Sequence, residues 1–418
     1  VRTLTTDAYT AAEVEAVLRS DNPVYQARFE LLDRNLDVAG DISDYVLSAT
    51  RTFDSTRAIK GSLALSMRPN DDLADALFRY RVKAWFGVRM PDGGFAEYAQ
   101  GVYLWQQPDR DLDGVSAETW ELTLGDLSHV LDLTGPGVTP FQLTRGVELT
   151  TGIRNALLSA GFEDLSGVTP SEQTSTDTLT WSVRRNSVAR QTRNPRGRTT
   201  TQIKYNTTVT TWQDIVNQLC DGLGYYDVWF DPDGLPIAEP AANLQTATAE
   251  HTYATGDDGI MLVPVQIERD PAGIANRVFA RSKSTQPAGG GNADAPLTVG
   301  VADANSVLPG HPLSEAKIGL FVDLVVDNDV AATQQALDAQ ARKVLQERIT
   351  SYERVTTPSL AWPTHEGYDL IGVTFDGDRD LDGGRLYLED QFTLVLVAEK
   401  GTGQMTHRLR HIADVDEF

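Results

Sequence analysis

The 418-residue chain predicts a β-rich α+β fold, with two antiparallel β-barrel or sandwich domains flanking a smaller α/β module. Three observations carry this expectation. Apolar and polar residues alternate with period two toward both ends of the chain, the mark of strands buried on one face. Between those regions lie two stretches with helical spacing and a capping residue. The hexapeptide DRDLDG occurs at 109–114 and again at 378–383. Each copy follows a Gly-Val strand and precedes a Leu-rich one, as a hairpin shared by two related β domains would.

Residues 1–24 read as an arm with one helix, AAEVEAVLRS, capped by Thr10. The first β domain spans 25–135. Within it YRVKAWFGVRM places Tyr80, Val82, Ala84, Phe86, Val88 and Met90 on one face, with Arg81, Lys83 and Arg89 opposite. GSLALSM and TWELTL repeat the pattern, and PDGG at 91–94 has the composition of a hairpin turn. Residues 136–255 form the α/β module. TTGIRNALLSAGF and TWQDIVNQLCDGLGYY are its helices; Ile215, Val216, Leu219, Cys220 and Leu223 make one stripe, and Gly222 or Gly224 ends it. A hairpin on Pro232-Asp233-Gly234 follows. The second β domain spans 256–418. It holds strands at VPVQIERD and NRVFARS, a flexible connection at 284–296, and a long helix over 329–349. Asp329 is the expected N-cap of that helix, with Leu337, Ala341, Val344 and Leu345 on its buried face. YDLIGVTF, RLYLEDQFTLVLVAEK and THRLRHI close the chain as strands.

A net charge of −23 argues against a dedicated nucleic-acid binder, because an acidic surface repels phosphate. The single Cys220 excludes an intrachain disulfide framework. No apolar run approaches the about 20 residues that span a bilayer. One segment reverses the charge. Arg184, Arg185, Arg190, Arg193, Arg196, Arg198 and Lys204 gather in 183–207, with no acid between Asp177 and Asp214. Two readings stand side by side: a mobile solvated loop, and a basic arm that docks on an acidic neighbouring subunit, with nucleic acid as the weaker option for that arm.

No catalytic constellation emerges. There is no nucleophile elbow, P-loop or dinucleotide fingerprint, and Cys220 sits on an apolar helix face as a core residue. Carboxylates are too many for any pair to be marked. The second hexapeptide fits a calcium-loop spacing through Asp378, Asp380, Asp382, Gly383 and Glu389. It lacks flanking helices, and the first copy has Trp120 where the closing acid belongs, so solvated turns are the preferred reading. The six histidines, His129, His251, His311, His365, His407 and His411, show no metal-binding spacing. His407 and His411 are expected on a strand surface. No catalytic, cofactor-binding or metal residue is therefore assigned, and no cofactor.

The order of parts resembles the tail hub proteins of long-tailed bacteriophages, the baseplate hub or tail-associated proteins. The stretch from YQARFELLDRN to GSLALSM is similar to the opening tube-type β domain of such hubs. TWQDIVNQLCDGLGYYDVWFDPDGLPIAEP is similar to their middle module. ANRVFARS, ALDAQARKVLQERI and YLEDQFTLVLVAEKGTGQMTHRLRHI resemble their second tube-type domain. The resemblance implies a non-enzymatic virion protein of the tail tip. It implies a homotrimer whose paired β domains make a pseudo-sixfold ring against the tail tube or a distal tail ring. Tape-measure protein, tail-tip or fibre proteins and passing genomic DNA are the other implied partners. With the last strand predicted close to Phe418, no fused lysin or receptor-binding domain is expected. The alternatives are a virion-borne or secreted carbohydrate-active enzyme or adhesin with calcium-stabilised β domains, and the hub of a contractile injection system.

Overall fold

The computed structural model describes the chain outside residues 1, 21, 69–78, 112–118, 138, 176–177, 182–183, 194–198, 209, 245, 255–258, 263, 271–273, 283–298, 309, 329, 331–332, 376–382, 399–401 and 416–418. For 106–111, 184–193, 199–208, 383 and 413–415 it describes the backbone only.

Helix α1 (Ala11–Leu18) starts at Thr10, whose side chain accepts from the Glu13 amide while Glu13 caps in return. It buries Val14 and Leu18. Strands β1 (Tyr25–Leu32), β2 (Val38–Asp41), β3 (Val46–Asp54), β4 (Gly61–Met67), β5 (Arg81–Arg89), β6 (Phe95–Asp111) and β7 (Thr119–Asp126) follow. The alternation acts as expected: Val82, Ala84, Phe86 and Val88 are fully buried. Gly93 turns the β5–β6 hairpin with φ 91°, a backbone that residues with a Cβ disfavour.

The middle module holds α2 (Ser128–Leu133), β8 (Phe141–Leu143), α3 (Leu149–Ser159), β9 (Leu179–Trp181), β10 (Arg184–Arg193), β11 (Thr199–Thr208), α4 (Trp212–Leu223), β12 (Trp229–Phe230) and β13 (Pro236–Ile237). Thr211 and Asp214 box the start of α4, and Gly224, at φ 71°, ends it in the left-handed conformation. Ile153 and Leu157 of α3 pack on Ile215, Leu219 and Cys220 of α4. The basic segment is an antiparallel hairpin, β10 pairing with β11 from Arg184↔Thr208 to Arg193↔Thr199. Neither the mobile-loop nor the docking-arm reading anticipated that regularity; the Thr-rich β11, with Ile203 and Tyr205, has the composition of a strand.

The remaining strands are β14 (His251–Ala254), β15 (Gln266–Arg269), β16 (Arg277–Ser282), β17 (Val299–Asp303), β18 (Asp323–Asn328), β19 (Glu353–Leu360), β20 (Leu370–Phe375), β21 (Gly383–Val397) and β22 (Gln404–Val415). Short helices α5 (Ala304–Val307) and α6 (Glu315–Ile318) precede the long α7 (Gln334–Thr350). Helix α7 begins later than expected. Thr333 caps it by accepting from the Ala336 amide, whereas Asp329 lies outside the described residues. Leu337, Ala341 and Leu345 pack on Val278, Ala280 and Ala302 of a separate three-stranded sheet, β17-β16-β18.

The other strands of both ends join one sheet. In space, the N-terminal unit runs β3-β4-β7-β6-β5-β1, with β2 beyond β1. The C-terminal unit runs β15-β19-β22-β21-β20, with β14 on the far side of β20. Ranked by position along the chain, both orders are second-third-sixth-fifth-fourth-first. Neighbours are antiparallel throughout, except that β14 lies parallel to β20 where β1 is antiparallel to β5.

A seam joins the units inside the chain. Beyond a bulge between Glu389 and Gln391, β21 leaves β20 and pairs with β3, from Gln391↔Asp54 to Val397↔Ala49. Its counterpart β6 has a bulge between Trp105 and Gln107, just after its last pair with β5, Tyr103↔Val82. Past that bulge, 107–111 pair only with β7 among the described residues. Strand β15, the counterpart of β3, pairs only with β19 among the described residues, and all four of its residues are exposed. Cores cross the seam too. Phe392, Leu394 and Met405 pack with Phe53, Leu63 and Leu124, and Tyr253, Ile371 and Leu409 pack with Val88 and Tyr98.

The repeated hexapeptide does not mark this correspondence. The first copy lies at the β6–β7 connection, fifth to sixth strand; the second lies at β20–β21, fourth to fifth. The counterpart of the second copy is the PDGG turn of β5–β6. The two β units share a strand order, but the repeated peptide falls at different connections within them.

Candidate functional site: a buried histidine–carboxylate cluster

Inside the C-terminal β unit, five side chains from four places converge. His251 comes from β14, His365 and Asp369 from the β19–β20 connection, Glu389 from β21 and His407 from β22. All are buried; His407 and Glu389 have no exposure at all. This corrects the expectation for His407 and His411, which are buried rather than on the surface. They do lie apart in function, because His411 faces Glu353 at 4.0 Å while His407 faces Glu389.

Asp369 Oδ2 is the hub of one half. It accepts from the Glu366 amide at 2.8 Å and lies 3.2 Å from His365 Nδ1. His251 Nε2 stands 3.4 Å away, without the alignment of a hydrogen bond and with no other partner. In the other half His407 Nδ1 lies 3.0 Å from both oxygens of Glu389, and Glu389 Oε2 is 3.5 Å from His365 Nδ1. The far ring nitrogens are tied to hydroxyls: His365 Nε2 to Tyr253, and His407 Nε2 to Ser359 at 2.8 Å.

The connection that carries His365 and Asp369 is held in an uncommon shape. Tyr368 has φ 67°, a left-handed backbone that costs about 1–3 kcal/mol for a bulky residue. Its ring stacks on Tyr226 at 4.1 Å and meets Trp229 at 5.2 Å, contacts that offset the strain. Gly367 is required beside it, since a Cβ there would lie 2.0 Å from the Phe53 ring.

Electrostatics follow from depth. Burial pushes His365 down to about 3 against the pull of Asp369, so its ring is neutral at pH 7. Burial works to raise Asp369 too, but the imidazoles of His365 and His251 outweigh it and hold the carboxyl below the usual range. Burial raises Glu389, with His407 opposing.

Ser359, His407 and Glu389 form a hydrogen-bonded chain of the kind that activates a serine nucleophile. None of the three has measurable exposure, so an acyl substrate cannot reach Oγ in this conformation. Of the residues singled out in sequence, Cys220 lies in the α4 core, where burial raises its thiol. Asp378, Asp380 and Asp382 lie outside the described residues. Glu389, the closing acid of that spacing, is in a strand and turned into the cluster.

No family model matches the chain, and no curated protein matches its sequence. Solved structures match its shape. A tail protein from Neisseria meningitidis MC58 aligns over 92% of this chain and 96% of its own, with TM-score 0.56 and 11% identity. The 43 kDa tail protein of prophage MuSo2 from Shewanella oneidensis aligns over 92% and 98%, with TM-score 0.55 and 11% identity. Prophage tail protein gp18 from Listeria monocytogenes EGD-e gives 92% and 94%, 0.50 and 10%. The chain shares the β-rich fold of these tail proteins across nearly its whole length.

Proposed function

We propose that the protein is a structural component of a phage tail, a hub in which three copies form a pseudo-sixfold ring at the tail tip. The observation that carries this reading is the matched strand order of the two β units with one seam made and one left open. Within the chain β3 pairs with β21. The corresponding pair, β15 with the 107–111 edge of β6, is not made among the described residues. Open edges of this kind are hazards unless a partner covers them. A neighbouring copy would cover both at once, head to tail, and such a contact closes into a ring when the rotation permits. Three chains with two units each would then offer six similar faces to a hexameric tube.

The shared fold with tail proteins supports the same assignment and a location in the virion. The ring would dock on a tail tube or distal tail ring on one side and on tip or fibre proteins on the other. Tape-measure protein and DNA would pass through its bore, and the net charge of −23 disfavours adhesion of phosphate to the walls. Among the described residues no helix is long and apolar enough to cross a membrane, so a membrane helix has no part in this role. Native mass spectrometry of the full chain tests it. Three copies per particle support the ring, and a particle that stays monomeric or dimeric at high concentration contradicts it.

A further inference from the structure

We propose that His251, His365 and Asp369 form a binding site for one first-row divalent transition ion of the zinc class, with Glu389, held by His407, bordering it beside His365. The argument begins with spacing. Metal–ligand bonds of about 2.0–2.2 Å in a tetrahedron put neighbouring ligand atoms about 3.3–3.6 Å apart. The corresponding atoms lie at 3.2 Å for His365 Nδ1–Asp369 Oδ2 and 3.4 Å for His251 Nε2–Asp369 Oδ2. Each of the trios His251–His365–Asp369 and His365–Glu389–His407 has its ligand atoms within 4.8 Å of one another.

Second, His251 Nε2 is unsatisfied. The residue is only 8% exposed, yet this nitrogen has no hydrogen-bond partner while facing the Asp369 carboxylate. A buried polar atom left unpaired costs about 1–3 kcal/mol, and an ion between it and Asp369 removes that cost. Third, the outer partners have the arrangement that metal ligands use. Tyr253 fixes the far nitrogen of His365, which leaves Nδ1 to face the carboxylates, and Ser359 with His407 fixes Glu389.

The N-terminal unit supplies a comparison within the same chain. Its corresponding strands fill their interior with Phe29, Leu63, Leu65, Phe86, Leu122 and Leu124, all buried and apolar. Two buried carboxylates among three imidazoles are costly without a compensating cation. Two imidazoles and one carboxylate suit zinc-class ions better than calcium, which prefers six to eight oxygens. The ion would tie β14 to the β19–β20 connection, stiffening the unit next to the seam.

The test uses the full chain purified without chelators. Elemental analysis should find about one equivalent of a transition metal per chain, and refolding with cobalt(II) should give the visible bands of a tetrahedral site. His251→Gln and Asp369→Asn should lose both metal and bands while keeping the far-UV circular dichroism of the parent. Ser359→Ala should weaken metal affinity about tenfold through the outer partner. Metal-free protein that takes up no cobalt overturns the proposal. So do cobalt bands that persist unchanged in folded His251→Gln and Asp369→Asn, since the ion would then sit elsewhere.

Discussion

Replacing Phe392 by alanine probes the seam where the two β units share a core. Phe392 is fully buried on β21, and its ring stacks on Phe53 at 5.8 Å. The Arg51 guanidinium lies 4.8 Å from the ring centroid and is itself buried, bonded to Gln100 at 2.6 Å. Truncating a buried Phe costs about 3–5 kcal/mol, lost transfer energy plus the cavity left behind. A desolvated cation–π contact is worth about 2 kcal/mol, so the upper half of that range is expected here. Urea unfolding followed by circular dichroism at one fixed protomer concentration measures the change, because ring assembly makes stability depend on concentration. The midpoint should fall with the slope unchanged, in a single transition. Phe321, 44% exposed over Arg277, is the control, and Phe321→Ala should cost about 1 kcal/mol or less. A loss below about 1 kcal/mol for Phe392→Ala, or separate melting of the N-terminal unit, would refute the shared-core reasoning.

Gly224→Ala should destabilise by more than about 1 kcal/mol, read as a lower melting temperature: its φ is 71° and a Cβ would lie 2.8 Å from the Ala339 backbone on α7. Cys220 should resist thiol reagents in the native protein and react only on unfolding, since it is fully buried and burial raises its thiol. Arg277→Ala should cost under about 1 kcal/mol in urea titration despite its paired contacts with Asp323 at 2.7 and 2.8 Å, because the pair is solvated. Excising the 184–208 hairpin should lower the fraction of assembled particle in sedimentation without changing the melting of the remainder; unchanged assembly would remove its docking role.

Much of the fold was legible because local rules fix it. Thr10 caps the helix it was expected to cap, and Gly224 ends α4. Leu63, Leu65 and Leu124 lie inside because period two puts them on one face. What the sequence concealed depends on long-range pairing. The seam joins Gln391 to Asp54, and no local pattern announces that register. DRDLDG misled for the same reason, since short acidic turns recur wherever strands reverse. The histidine cluster was hidden more deeply. Alternation alone could not say that His407 faces inward, and its partners arrive from β14, β21 and a connection shaped by Tyr368. The one local trace is His365-x-x-x-Asp369, too common a spacing to single out.

An electron cryo-microscopy map of the assembled particle tests the central claim most directly, by tracing which strand lies beside β15. The account predicts three chains around a bore, with 266–269 of each laid against 107–111 of the next. A map in which those two edges face solvent, or in which the copies do not close into a ring, would contradict it.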